Sequence, residues 1–382
     1  MASEIAPVLE VWLLGERAGT LWLKEGELQF QYNPPWLEQL GAIPLSQSLP
    51  LQAEPFADQL CRPFFSGLLP EGQLRQRIAQ QCQISQSNDF GLLAAIGGDC
   101  AGAVSLAAGD QATVPAAVEW LDQDQLIALL DELPQRPMLA QREGLRLSLA
   151  GAQDKLPVIF DGSRIGLPRG DAASTHILKP AIAAVEGSVI NEAFCMALGQ
   201  AMGLKVADAE ILTAGDRQVL LVRRYDRRLG DGEQGLRLHQ EDFCQALGVP
   251  PELKYQNEGG PDLQACFGLL RRATRPNAPQ VLRLLDAVVF NALIGNHDAH
   301  AKNFSLLYAG STPTLAPLYD LLCTAVYPTL TAKMAMKLGS KYSFSQVQVR
   351  HWDRFAEAAG LSQAQTRKRV VRMAEQLPPS AR

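Results

Sequence analysis

Asp298 and Asn303 stand five residues apart in the run Asn296-His297-Asp298-Ala299-His300-Ala301-Lys302-Asn303. Phosphotransferases of the protein-kinase kind use this spacing: the Asp accepts or orients the attacking hydroxyl, and the Asn binds a metal ion. A second carboxylate joins them by geometry. Asn303 opens an apolar run to Tyr308, Ala309 to Pro313 reads as a turn, Leu315 to Leu318 returns, and Asp320 closes the return. An antiparallel hairpin centred in that turn brings Asn303 and Asp320 together at its open end. One carboxylate and one amide oxygen, completed by phosphate oxygens and water, is a usual way to hold magnesium on a nucleotide. Asp320 lies in Leu-Tyr-Asp-Leu, not Asp-Phe-Gly, so the likeness is one of role.

The phosphate end should lie upstream. Ser148-Leu149-Ala150-Gly151-Ala152-Gln153-Asp154-Lys155 sits between two strand-like runs. Its small residues let backbone N–H groups approach phosphates. Lys155 either reaches those phosphates or lies on the surface. Lys179, at the end of Thr175-His176-Ile177-Leu178-Lys179, is placed to reach α- and β-phosphates. Glu192, thirteen residues on and read into the first turn of the next helix, is a possible partner for Lys179, with Asn191 as its rival. Gln240, Glu241 and Asp242 fall where strands give way to helices. A two-lobed kinase has its adenine-binding hinge there.

Other readings weigh less. His297 and His300 form an H-x-x-H without a nearby Glu or Cys at ligand spacing, so a zinc site is not expected. His300 is read as a brace for the loop and His297 as near the surface. Arg223, Arg224, Arg227 and Arg228 are either a solvated strand end or a contact for operator phosphates. Tyr225 and Trp352 are read as core.

Several elements must position these groups. Strands are expected at Val8–Leu14, Gly19–Leu23 and Glu27–Tyr32, with a mostly helical stretch over 37–104. An amphipathic helix is expected over 118–131, followed by a linker to Gly144. Further strands are expected at Leu145–Leu149, Leu156–Asp161, His176–Lys179, Ile211–Ala214 and Gln218–Arg223. A helix over Asn191–Met202 ends at Gly203 in the left-handed cap position. The organisation that follows is an N-terminal subdomain (1–107), a helix and linker (108–144), a strand-rich lobe (145–240) and a mainly helical lobe (241–382). The fold class is α+β and two-lobed, kinase-like, with an extra N-terminal β-rich subdomain.

Composition sets the bounds. The 382 residues carry 35 Lys and Arg against 40 Asp and Glu, a net charge of −5. With 47% hydrophobic residues the chain has ample material for a core, and wholesale disorder is excluded. Mild acidity argues against nucleic-acid binding through bulk charge alone. Seven scattered cysteines without a C-x-x-C pair read as reduced thiols. No secretory signal or membrane span is read, which points to the cytoplasm.

The ordered set of motifs resembles the HipA family of toxin serine/threonine kinases. Matching stretches include Phe64-Phe65-Ser66-Gly67-Leu68-Leu69-Pro70-Glu71-Gly72, the 148–155 run, Thr175 to Pro180, Asn191-Glu192 and Arg224-Tyr225-Asp226-Arg227. They continue through His239 to Gln245, Lys254-Tyr255, Gly259-Gly260-Pro261, the Asp298 loop and Pro317-Leu318-Tyr319-Asp320. The resemblance implies an ATP- and magnesium-dependent protein kinase. Asp298 would be its catalytic residue, and Asn303 and Asp320 its metal ligands. Nucleotide contacts would come from Ala150, Gly151, Ala152, Gln153, Lys155, Lys179, Gln240, Glu241, Asp242, His300 and Lys302. It implies Ser148 as a self-phosphorylated off switch. It implies a helix-turn-helix antitoxin of HipB type, operator DNA bound indirectly through that antitoxin, and a protein substrate in translation such as an aminoacyl-tRNA synthetase. Two other classes stay open: a catalytically weak kinase-fold co-repressor scaffold, and a small-molecule phosphotransferase.

Overall fold

Strict alternation makes the first sheet. In β1 (Val8–Leu13) residues Leu9, Val11 and Leu13 are buried while their neighbours are only partly so. It pairs with β2 (Glu16–Lys24), which pairs with β3 (Glu27–Tyr32). Helices α1 (Pro34–Glu38), α2 (Asp58–Ser66), α3 (Gly72–Cys82) and α4 (Asp89–Ile96) follow, and β4 (Val104–Ala108) returns to β1, giving the order β3-β2-β1-β4. Phe30, Phe64 and Phe65 fill the space between sheet and helices, with Phe30 and Phe65 ring centres 5.4 Å apart. The computed structural model describes residues 7–109, 115–142, 144–228, 236–310 and 312–381. Residues 1–6 of the N-terminal segment, 110–114 and 143 of the linker, and Ser311 of the turn lie outside them.

The helix expected over 118–131 is two elements. Ala117–Trp120 is an edge strand, β5, and α5 (Gln123–Glu132) starts only at the Asp122 cap, where Asp122 and Gln125 form a reciprocal capping box. That cap fixes where helical geometry begins, and the apolar residues before it pair with a neighbour instead. The linker region thus contributes a strand. The second sheet continues with β6 (Leu156–Phe160), β7 (Ile165–Arg169) and β8 (His176–Pro180). After α6 (Ser188–Ala201) come β9 (Ala209–Ala214) and β10 (Arg217–Arg223), in the antiparallel order β5-β7-β6-β8-β10-β9. β7 escaped the sequence reading because Gly166 and Pro168 interrupt its pattern. The strand expected at Leu145–Leu149 is not formed. Leu147 makes a single bridge to Asp99, so this segment belongs to the contact between domains. α6 begins at Ser188, which moves Glu192 beyond the first turn.

The short β11 (Arg227–Arg228) and β12 (Leu236–Arg237) pair with each other. β13 (His239–Asp242) then leads into α7 (Phe243–Ala246), α8 (Leu263–Ala273) and α9 (Asn277–Leu293). β14 (Ser305–Tyr308) and β15 (Thr314–Leu315) form the predicted hairpin, and β13 completes a three-stranded sheet. The hairpin is shorter than expected. It pairs Leu306 with Leu315, and the chain then leaves the sheet so that Leu318 bridges Val206 instead. Helices α10 (Val349–Ala358) and α11 (Gln363–Ser380) close the chain.

A buried ionic cluster joins the domains. Asp99, from the N-terminal domain, accepts from Arg227 at 2.8 Å and from Ser174 at 2.6 Å, and Arg224 pairs with Asp226 at 2.8 Å. All five are buried. Arg224 and Arg227 are therefore neither a solvated strand end nor a phosphate contact. Arg223 and Arg228 alone of that run stay exposed.

Candidate active site

A cleft of about 450 Å³ opens between the six-stranded sheet and the helical lobe. Its walls hold Ala150, Gly151, Ala152, Gln153, Lys155, Lys179, Glu192, Gln240, Asp242, Asp298, His300, Lys302, Asn303 and Asp320. Two of the sequence-proposed residues are elsewhere. Glu241 alternates to the opposite face of β13, where it meets Ser46, Gln47 and Tyr308. Only its backbone belongs to the expected hinge. Ser148 is fully buried, and its hydroxyl donates to the Leu68 carbonyl at 2.8 Å.

The phosphate-loop candidate depends on Gly151. Its φ of +110° favours glycine, and a Cβ there would lie 2.6 Å from the Lys155 Nζ. Lys155 donates to the Ala150 carbonyl at 2.5 Å, and burial pushes its ammonium below the usual range. Lys179 is the hub of the cleft. It donates to Glu192 Oε1 at 2.6 Å and to Asp320 Oδ1. Burial works against its charge, but Asp320 and Glu192 more than offset that and hold it above its ordinary value. Asn191 faces away, bonded to the Cys323 backbone and the Tyr327 hydroxyl.

The catalytic-loop candidate is braced from below. Asn296 accepts from the Asp298 N–H at 3.1 Å and donates to Asn291 at 2.7 Å. Asp298 itself is exposed, and Tyr255 donates to its Oδ1 at 2.9 Å. The Asn303 amide donates to the Asp298 carbonyl at 3.0 Å. His300 is buried edge-on to Tyr255, which fits a brace, and burial lowers its pKa. His297 is half-buried against Thr324 and Phe344. Lys302 donates to Asp242 at 2.6 Å.

These residues fit a magnesium nucleotide. Among the described residues no cluster of three His, Cys, Asp or Glu forms, so there is no all-protein metal cage. Asp320 and Asn303 supply one carboxylate and one amide oxygen on the cleft wall. Burial pushes the Asp320 carboxyl up, but Lys179 and Lys155 outweigh it and hold the group ionised, at about 2. No hydrogen bond reaches the Asn303 Oδ1 among the described residues, which leaves it available as a ligand. Asp320 holds a left-handed φ of +51°, a region that Asp enters more readily than most residues. Tyr225 packs against the core, as read, and also lines the cleft. Its ring stacks on Tyr319 at 5.8 Å, beside Gln240. Trp352 is partly buried, edge-on to Phe355.

Comparison with known proteins agrees with this architecture. The family profile described as the HipA-like C-terminal domain matches residues 147–381, and that of the HipA N-terminal domain matches 9–107. The chain belongs to the HipA family. It is 48% identical to Y4mE of Sinorhizobium fredii, a protein named as a candidate kinase, over 96% of this chain and 89% of that one. It is 29% identical to the serine/threonine-protein kinase toxin HipA of Shewanella oneidensis, over 92% and 85%. The solved structure of Shewanella oneidensis HipA with HipB and operator DNA superposes with a TM-score of 0.87 at 28% identity, covering 98% of this chain and 89% of that chain. Among the described residues no helix is long and apolar enough to cross a membrane, and the seven cysteines are free.

Sequence reasoning gave no role to two groups of this HipA-family cleft. Glu71 arrives from the N-terminal domain and receives Lys254 at 2.8 Å. Tyr255 bonds Asp298. Both lie in stretches that match the family, but their contacts span more than 40 positions in sequence, and no local pattern announces them.

Proposed function

We propose that this HipA-family chain is an ATP- and magnesium-dependent serine/threonine-protein kinase toxin. The observation that carries the reading is the convergence of Asp298, Asn303, Asp320 and Lys179 on one cleft. Asp298 orients the acceptor hydroxyl and takes its proton as the new oxygen–phosphorus bond forms to the γ-phosphate. The bond to the β-phosphate oxygen breaks, and ADP leaves with that electron pair. Lys179 and Lys155 neutralise phosphate charge, and Asn303 and Asp320 hold the magnesium, which supplies further neutralisation when bound. Catalysis here is mainly positioning. The exposure of Asp298 at the cleft mouth suits a protein acceptor, and we assign the substrate class to a translation component such as an aminoacyl-tRNA synthetase. By likeness to the Shewanella complex, the partners are a HipB-type antitoxin and, through it, operator DNA.

We further assign self-silencing to Ser148. Its hydroxyl is fully buried on the Leu68 carbonyl, a seat too enclosed for a phosphate carrying nearly two negative charges. Phosphorylation therefore requires the 148–155 loop to leave its seat, which would remove Lys155 from the nucleotide. The test is intact mass before and after Mg-ATP, with Asp320→Ala alongside. The expected result is one phosphate on Ser148, absent in the variant. ATP binding without any transfer from initially unphosphorylated protein would refute the kinase reading and favour a scaffold or a small-molecule kinase.

A further inference from the structure

The Phe64–Gly72 motif has no part in the chemistry above, yet it crosses from the N-terminal domain to both halves of the cleft. Three consecutive contacts are made by Leu68, Pro70 and Glu71. The Leu68 carbonyl accepts from Ser148 Oγ at 2.8 Å. Pro70 bridges Gly151 as a parallel strand would, and the Glu71 N–H donates to the Gly151 carbonyl at 3.1 Å. The Glu71 side chain then turns toward the helical lobe. Its Oε2 accepts from Lys254 at 2.8 Å, and its Oε1 lies 3.7 Å from the Lys302 ammonium. Lys254 also sits 5.5 Å over the ring of Tyr255, whose hydroxyl bonds Asp298. Glu71 is largely buried and lines the cleft. Oε1 has no hydrogen-bond donor among the described residues, so Lys302 reaches it through charge alone.

We propose that Glu71 is a positioning residue of the phosphotransfer site. Its backbone pins the phosphate loop at Gly151, and its carboxylate fixes Lys254 and Lys302, so one residue of the N-terminal domain sets the distance between loop and catalytic Asp298. This rests on the kinase reading above. Glu71 thereby joins the loop, which the N-terminal domain also holds through Arg77–Asp154 and Asp99–Ser148, to the Lys254–Tyr255–Asp298 chain. The carboxylate also offsets two ammonium groups that would otherwise repel each other.

The test uses the full-length protein with Glu71→Gln, Lys254→Met and the double variant. Each is assayed for kcat and for KM of ATP, and for hydrogen exchange of the 148–155 amides. Misplacement of reacting groups by about 1 Å costs roughly 100-fold, so Glu71→Gln should lower kcat by roughly 10- to 100-fold with a smaller change in KM. Because Glu71 acts through Lys254, the double variant should be no slower than the worse single variant. Wild-type kcat in Glu71→Gln, or losses that simply multiply in the double variant, would overturn the proposal. If Glu71→Gln does not fold, Lys254→Met alone must show the kcat loss, and a normal rate there overturns it equally. Should the wild-type protein transfer no phosphate, the kinase reading fails. The strap is then judged by hydrogen exchange: Glu71→Pro removes the N–H that holds the Gly151 carbonyl and must raise exchange across 148–155, and unchanged exchange overturns the pinning.

Discussion

Glu241 is a carboxylic acid with almost no access to water, held on the contact between the two domains. Tyr308 donates to it at 2.6 Å and the Gln47 N–H at 3.0 Å, and Ser46 donates as well. These donors favour the carboxylate, but burial outweighs them, with Asp242 adding to it, and the group is pushed up to about 7 from an ordinary 4.5. The folded chain therefore keeps a proton through a window in which the unfolded chain has lost it. Stability falls as pH rises from about 4.5 to about 7, and the loss persists above that. At about 1.4 kcal/mol per pH unit, the window gives about 3 kcal/mol. Glu241→Gln copies the protonated form: its oxygen still accepts from Tyr308 and Gln47, and its NH₂ can donate to Ser46 Oγ. Urea unfolding of both proteins should therefore give equal stability near pH 4.5. The variant should gain on the wild type as pH rises, by up to about 3 kcal/mol at pH 8. A difference that does not change with pH, or a variant that falls further behind at pH 8, would refute the reasoning.

Other perturbations test the cleft and the domain contact. Lys179→Met strands the Glu192 carboxylate in a buried site and should cost roughly 3–5 kcal/mol in unfolding free energy. Adding Glu192→Gln should restore most of that stability but none of the phosphate transfer, which thermal melts and a transfer assay would separate. Asp99→Asn leaves Arg227 short of its partner in the interdomain cluster and should lower stability by roughly 3–5 kcal/mol, read from the denaturant midpoint. Gly151→Ala forces a side chain into a left-handed conformation against Lys155. The strain of roughly 1–3 kcal/mol should appear as weaker ATP binding by calorimetry, and unchanged affinity would show that this turn does not hold phosphate.

Local pattern in the sequence determined much of this protein. Alternation in Val8–Leu13 and Glu27–Tyr32 placed strands almost to the residue, because a half-buried strand writes its two faces into every second position. Asp298 and Asn303 were legible because their spacing lies within one short loop. The hairpin argument put Asp320 on the same cleft wall although the true register is shorter, since any tight turn near residue 311 returns the chain to that place. Tertiary structure alone decided the rest. That Glu192, not Asn191, meets Lys179 follows from the roll of α6 on the sheet, and residues one apart on a helix face different ways. The side chain of Glu241 turned from the hinge to the N-terminal domain because strand neighbours point to opposite faces, and the sequence does not say which face is the cleft. Arg224 and Arg227 read as surface charge until Asp99, more than 120 residues upstream, was brought against them. Long-range partners of this kind leave no local trace: a buried charge needs a counter-charge, but nothing in chain order fixes where that partner lies.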